Sequence, residues 1–277
     1  MNKLLSYIYD VRKIPGGESL EQISEFVKRN YPVLNKILKA TPTFEMLHRA
    51  EKNASQGGVG YACRQALNEV GMNYEIRGEE NIPETGSGVC PVNHYSGILE
   101  GIVLGATLFE TFEKMKRQFR ILVAPQLEII KGIEKLVNFV DTSVKGDYFR
   151  SLSGPIDYIR NGGVLALCPA GVVSGAGLRE YKWKSGLAYL AGESDFVLPM
   201  WISGPDHGKI YNLLAGVKST ERLRNVLMMR ETWNKKGKKL ILNIGKPISR
   251  KVMQEIGNYR RVTDYIRGKC EELKLAV

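Results

Sequence analysis

Apolar positions in this chain change rhythm near residue 72. From about residue 18 to 70 they recur at helical spacing. The stretch "SLEQISEFVKRNYPVLNKILK" opens with Ser19 as a cap and puts Ile23, Phe26 and Val27 on one face. Pro32 breaks or kinks that helix, because it has no N–H to give the preceding turn. A second helix is predicted over roughly 43–53, and a third over "GYACRQALNEVG", ended by Gly71. Beyond this the texture alternates. "MNYEIRG", "VCPVN", "FRILVAP", "FVDTS", "GVLALCPAG", "FVLPMWISG" and "KLILNIGKPI" read as strands, and "ENIPETGSG" as a turn. Helices are predicted over residues 96–114 and over "LEIIKGIEKLVN", "DYFRSLSGPIDYIRNG" and "KSGLAYLAGES". Strands alternating with helices predict an α/β fold, with a sheet flanked by helices and an N-terminal helical extension. In such sheets the functional loops lie at the carboxyl ends of the strands, and "NHYSG" and "CPAGVVSGAG" both fall there.

Length and charge refine the picture. The 277 residues suffice for a sizeable core. No apolar run approaches the ~18 residues a spanning helix needs, and the N-terminus does not read as a signal peptide. The four cysteines, at 63, 90, 168 and 270, show neither metal spacing nor a disulfide framework, which suits a reduced, cytoplasmic setting. Cys90 and Cys168 lie in apolar runs and read as small buried hydrophobes. The net charge is +11 and uneven. Residues 206–277 hold 17 Lys and Arg against 7 Asp and Glu, so that part carries +10. A localised basic excess suits an anionic partner: lipid headgroups, a phosphorylated cosubstrate or nucleic acid. The patch lacks the interleaved aromatics or the module that nucleic-acid binding would require, so none is expected.

Four stretches could carry chemistry. In "VCPVNHYSGILEG", His94 precedes a helix and Glu100 lies about one turn inside it, with Ser96 as the expected cap. A carboxylate that accepts one ring N–H fixes the tautomer and leaves the other nitrogen as a base. On spacing alone, a histidine satisfied by the turn and a solvent-facing Glu fit somewhat better. In "CPAGVVSGAG" a buried strand runs into a glycine-dense loop whose backbone can approach an oxyanion or phosphate, although an ordinary turn has the same composition. It is neither a P-loop nor a nucleophile elbow, and neither Ser174 nor Cys168 stands next to a base in sequence. "REYKWKSG" leads into a helix N-terminus and could hold an anion. "ETWNKKGKKL" sets Trp233 among Lys235, Lys236, Lys238 and Lys239, the pattern of an interfacial anchor or of a lysine-rich turn.

The order of these motifs resembles the lysophospholipid acyltransferase family, the PlsC-like glycerolipid acyltransferase superfamily. Its first motif, N-H-x4-D, is opened here by Asn93 and His94, and its F-P-E-G motif is matched by Cys168-Pro169-Ala170-Gly171. "NYEIRGEENIPETGSGVCPVNH" is similar to the family's lead-in, "NFVDTSVKGD" to its I-x-V-D-R block with Thr142 where Arg is usual, "FVLPMWISG" to its fourth block and "ILNIGKPI" to its closing strand. The resemblance covers roughly residues 70–250. The acid comes one residue late, as H-x5-E, which resembles the haemolysin-like and lyso-ornithine lipid branch, as does "WKSG". The third motif lacks the family's acid, at Ala170, and its arginine, at Val173. That arginine is associated with an acceptor phosphate, and a phosphate favours a bidentate guanidinium.

What the resemblance implies is a glycerol-3-phosphate acyltransferase-like fold, with a helical cap or membrane-contact region over 1–70 and the acyltransferase domain over 71–277. It implies O-acyl transfer from acyl-CoA or acyl carrier protein to a lysolipid hydroxyl. His94 would be the general base and Glu100 its orienting acid. Asn93, Ser96, Pro169, Ala170, Gly171, Lys182 and Lys184 would line the substrates, the two lysines standing in for the arginine as point charges. No metal or cofactor is needed. The expected location is peripheral, on the anionic inner face of the membrane. Two alternatives keep the fold: an acyl-lipid binding protein without turnover, and a thioester hydrolase.

Overall fold

A computed structural model describes residues 19–140, 151–215 and 221–276. The N-terminal part is helical, as the periodicity predicts. Helix α1 (Leu20–Asn30) is capped by Ser19, whose hydroxyl accepts from Gln22 N while the Gln22 side chain returns to the Ser19 N–H. It ends before Pro32, which starts α2 (Pro32–Leu38) at the first helical position. Helix α3 (Ala40–Val70) joins two predicted helices through a break at Gly58, where φ is +84°, and stops at Gly71 in the left-handed region. Its second half, from Val59 to Val70, shares a core with residues of the sheets, including Val92, Val164, Ala166 and Leu240.

The strands form two sheets. A six-stranded sheet has the order β4-β3-β5-β2-β6-β9, built from β2 (Gly88–Pro91), β3 (Phe119–Val123), β4 (Val137–Phe139), β5 (Val164–Leu167), β6 (Phe196–Val197) and β9 (Ile248–Ser249). All its pairings are parallel except β6 with β9. A three-stranded sheet has the order β1-β8-β7, from β1 (Asn73–Arg77), β7 (Met200–Ser203) and β8 (Lys239–Ile244). The central strands are buried on both faces, as helix-covered parallel strands must be. Cys90, Val164 and Ala166 face the core shared with α3 and with α4 (Ile98–Leu104). Val89, Leu165 and Leu167 face a second core, completed by α6 (Ser153–Arg160), α7 (Gly186–Glu193) and α11 (Tyr259–Glu272). Helix α4 runs through a π-helical turn, Gly105–Phe109, into α5 (Glu110–Lys114). Helices α8 (Lys209–Ala215), α9 (Glu221–Trp233) and α10 (Arg250–Ile256) complete the described α-helices.

Three expectations change. "LEIIKGIEKLVN" forms no α-helix: a 3-10 turn, Pro125–Ile129, is followed by irregular turns. "FVLPMWISG" and "KLILNIGKPI" are each two strands rather than one, and each pair is divided between the two sheets. The change of sheet falls at Pro199 in the first, where no N–H is available to continue a ladder. In the second it falls at Gly245, whose N–H donates to Pro199 O at 2.8 Å, so the two crossings brace each other. The block "DTSVKGD", with Thr142, and the start of "DYFRSLSGPIDYIRNG" lie outside the described residues.

Candidate active site

His94 follows β2 at its carboxyl end, beside the loop that follows β5. Gly97, with φ +81°, turns the chain into α4, so the cap is Gly97 rather than Ser96. That turn aims three donors at Glu100. Its Oε1 accepts from Ser96 N at 2.7 Å and Gly97 N at 3.0 Å, and its Oε2 from Ser96 Oγ at 3.0 Å. The same Oε1 lies 2.9 Å from His94 Nδ1. A carboxylate this well supplied with donors is acceptor-only, so Nδ1 carries the proton and Nε2 is the basic nitrogen. Glu100 is 2% exposed and His94 21%, so the acid is sealed beneath a ring that reaches outward. Burial alone would push the Glu100 carboxyl up, but the His94 ring and the Gly97 amide outweigh it and hold it below its ordinary range. Burial likewise pulls His94 down, and Cys168 and Glu100 overcome it, holding the imidazole well above its usual value.

The fold also brings groups that sequence spacing could not reveal. Cys168 Sγ, a ring nitrogen of His94 and a carboxylate oxygen of Glu100 lie within 4.8 Å of one another. Cys168 is half-buried, so it is not the enclosed hydrophobe its apolar run suggests, and a base stands beside it after all. Glu180 Oε1 accepts from the His94 backbone N–H at 3.3 Å and from the Trp183 indole at 3.0 Å. A carboxylate thus reaches the His94 loop from "REYKWKSG", although Ala170 stands where the family's motif has its acid. Ser174 N donates to His94 O at 2.7 Å and Ser174 Oγ to Tyr95 O at 3.1 Å, tying the two loops together.

The remaining expected site residues divide into structural and accessible ones. Asn93 is buried, and its amide is committed to β7, accepting from Ile202 N at 2.7 Å and donating to Ile202 O at 3.0 Å. It bridges the two sheets, with its oxygen and one amide N–H spent on β7. Ser96 is fully buried with its hydroxyl on Glu100, so it supports the acid rather than touching substrate. Pro169 is buried and Ala170 is 3% exposed; Pro169 O accepts from Lys184 N at 3.0 Å. Gly171 is exposed, but its N–H is used in a turn to Cys168 O at 3.0 Å. Lys184 is exposed, and its Nζ lies 2.9 Å from where a β-carbon on Gly171 would sit. A side chain there would displace the ammonium. Lys182 is exposed as well. Val173 is 8% exposed in an apolar cluster with Met228 and Tyr211. A groove beside the C-terminal helices, about 410 Å³ and lined by Lys246, Tyr265 and Lys269, is not lined by His94.

The interfacial reading of "ETWNKKGKKL" does not hold for two of its members. Trp233 packs against the main core and donates its indole N–H to Thr43 Oγ1 at 3.0 Å. Lys235 is 1% exposed, donating to Pro205 O at 3.1 Å and Asp206 O at 3.3 Å beneath the Tyr95 ring. Lys236, Lys238 and Lys239 stay exposed, with Lys239 paired to Glu75. Among the described residues, no helix is long and apolar enough to cross a membrane.

A mostly parallel α/β sheet carrying a histidine–carboxylate pair after a central strand is the architecture the motif order implies, and comparison with known proteins bears on it directly. No protein-family model matches the chain. A lyso-glycine lipid O-acyltransferase of Phocaeicola vulgatus is 26% identical over 216 residues, 73% of this chain and 76% of that protein. The crystal structure of the 1-acyl-sn-glycerophosphate (LPA) acyltransferase PlsC from Thermotoga maritima has the same fold, with a TM-score of 0.51, 19% identity, and coverage of 99% of this chain and 94% of that one. Together these support assignment of the chain to the lysophospholipid acyltransferase superfamily.

Proposed function

We propose that this protein is a lysolipid O-acyltransferase that moves a fatty acyl group from an acyl thioester, acyl-CoA or acyl carrier protein, to the hydroxyl of a lysolipid. The single observation that carries this reading is the His94–Glu100 pair, 2.9 Å apart, with the acid buried and the ring facing outward. His94 Nε2 takes the hydroxyl proton as the oxygen attacks the thioester carbonyl. Glu100 holds the ring in one tautomer and stabilises the imidazolium. The C–O bond forms, the C–S bond breaks as the tetrahedral adduct collapses, and the thiolate leaves with the proton from His94. Lys184, beside the Gly171 turn, can meet negative charge on either substrate.

Two observations support an acceptor other than a phosphate-bearing one. The relative from Phocaeicola vulgatus is named for a lyso-glycine lipid. In the third-motif loop, Val173 is packed in an apolar cluster, so that position offers no guanidinium. The exposed lysines of the basic C-terminal part, Lys236 and Lys238 among them, support peripheral attachment to anionic membrane, strengthened at low salt.

The test is incubation of the purified protein with long-chain acyl-CoA, or acyl carrier protein loaded with the same chain, and a panel of lysolipids including lyso-glycine lipid and lysophosphatidic acid. Thiol release and lipid mass are followed beside a His94→Ala variant. Acylated lipid that disappears in the variant is the expected result. Thiol release with only free fatty acid would make the protein a hydrolase, and binding without turnover would leave it an acyl-lipid carrier.

A further inference from the structure

Behind the third-motif loop lies a buried cation that no described carboxylate pairs with. Arg224, on α9, is 7% exposed. Among the described residues no carboxylate lies within 4 Å of it, and its Nε has no hydrogen-bond partner. Nη1 donates to Tyr181 Oη at 3.1 Å, and the guanidinium also faces the Tyr211 hydroxyl. Both tyrosines reach the loop that follows β5. Tyr211 Oη donates to Ser174 O at 3.0 Å, and Tyr181 Oη lies 3.1 Å from where a β-carbon on Gly175 would sit. Ser174 in turn holds the His94 carbonyl. Glu180 gives its Oε1 to His94 N and Trp183, Glu231 serves Gly208 N and Asn234, and neither acid pairs with the guanidinium.

An isolated buried guanidinium is costly unless something anionic meets it. Neutral phenol hydroxyls can orient it but cannot neutralise it. The planar fork suits a carboxylate, which it can bind in bidentate fashion. Its neighbours on α9, Val226 to Met229, share a cluster with Val173, where the third motif lacks its arginine, so this guanidinium comes from a helix and not from that loop. We infer that Arg224, steered by Tyr181 and Tyr211, binds the headgroup carboxylate of the acceptor lipid and selects an amino-acid-headed lysolipid, in which the amino acid is linked through its nitrogen and keeps a free acid. This rests on the acyltransferase reading above.

The experiment compares lyso-glycine lipid, its methyl ester and lysophosphatidic acid as acceptors for the wild-type protein, Arg224→Met and Arg224→Lys, with acyl-CoA as donor and thermal melting as a check on folding. Wild type should use the acid about a hundredfold better than the ester in kcat/KM, mostly through KM. Arg224→Met should cost the acid acceptor about that factor and the ester no more than a few fold, with Arg224→Lys between. If the methionine variant does not fold, the wild-type discrimination between acid and ester and the lysine variant still decide. Equal use of acid and ester by wild type, equal losses on both, or a preference for lysophosphatidic acid would overturn the assignment while leaving acyl transfer intact. No acylation of any lysolipid by wild type would instead remove the acyltransferase reading and this inference with it.

Discussion

Two histidine–glutamate pairs sit close together in this protein, and they behave in opposite ways. His94 meets Glu100 at 2.9 Å, whereas His207 Nδ1 stands 4.0 Å from Glu231 Oε2 and has no hydrogen-bond partner. His94 is part-exposed and held well above the ordinary imidazole range. His207 is buried between Tyr95 and Tyr211, and burial, reinforced by the Lys235 charge, brings it down to about 4. Glu231 cannot reverse this, since its oxygens serve Gly208 N at 2.7 Å and Asn234 Nδ2 at 3.0 Å. The same two residue types therefore give a candidate base in one place and a neutral packing group in the other. What separates them is whether the acid is aimed at the ring or committed elsewhere.

The comparison breaks most visibly under deletion of each ring. His94→Ala should lower acyl transfer by about 10²–10⁴-fold at little cost to stability. His207→Gln should change turnover by less than about tenfold. Equal losses in the two variants, in thioester-release assays, would erase the distinction. Glu100→Gln comes next, with an expected loss of about 10–10³-fold. Because His94 is held high, neutral base accumulates late, so kcat/KM should rise with pH along a limb alkaline of about 6.5. Removing the Glu100 charge should move that limb to lower pH even as the plateau falls.

The His207 side is read in stability. Its folded pKa is depressed, so the unfolded chain binds the extra proton first. The contribution is present above about 6.5, declines as pH falls toward 4, and amounts to about 3 kcal/mol. Denaturant titrations across that range should show the loss in wild type and a flatter profile in His207→Gln. The smallest effect is expected for Lys235→Met, about 1 kcal/mol from the Asp206 carbonyl left without a donor, since Pro205 O keeps the Tyr95 hydroxyl. It should also raise the His207 pKa by NMR titration, since the Lys235 charge helps to hold it down.

Much of the local organisation was legible in the chain. Ser19 and Pro32 delimit α1, Gly71 closes α3, and the strand cores fall where the apolar runs lie. The spacing from His94 to Glu100 was enough to pose the pair, because both sit on one turn that Gly97 bends. The spacing could not reveal that Ser96 would be spent on the acid, or that Trp233 and Lys235, which look like an exposed anchor, would point inward. Lysine burial depends on carbonyls of Pro205 and Asp206, which lie some thirty residues away.

By itself, then, the sequence determined the alternation of strands and helices, the caps and breaks between them, and the proximity of one imidazole to one carboxylate. These depend on contacts a few residues apart, where periodicity and backbone stereochemistry decide. Tertiary structure alone decided that Cys168 and Glu180 join His94, that two apolar runs each divide between sheets, and that Arg224 Nε is buried without a hydrogen-bond partner. Those outcomes follow from parallel crossovers that bring residues 86 apart to the ends of neighbouring strands, where burial sets the charge of each group.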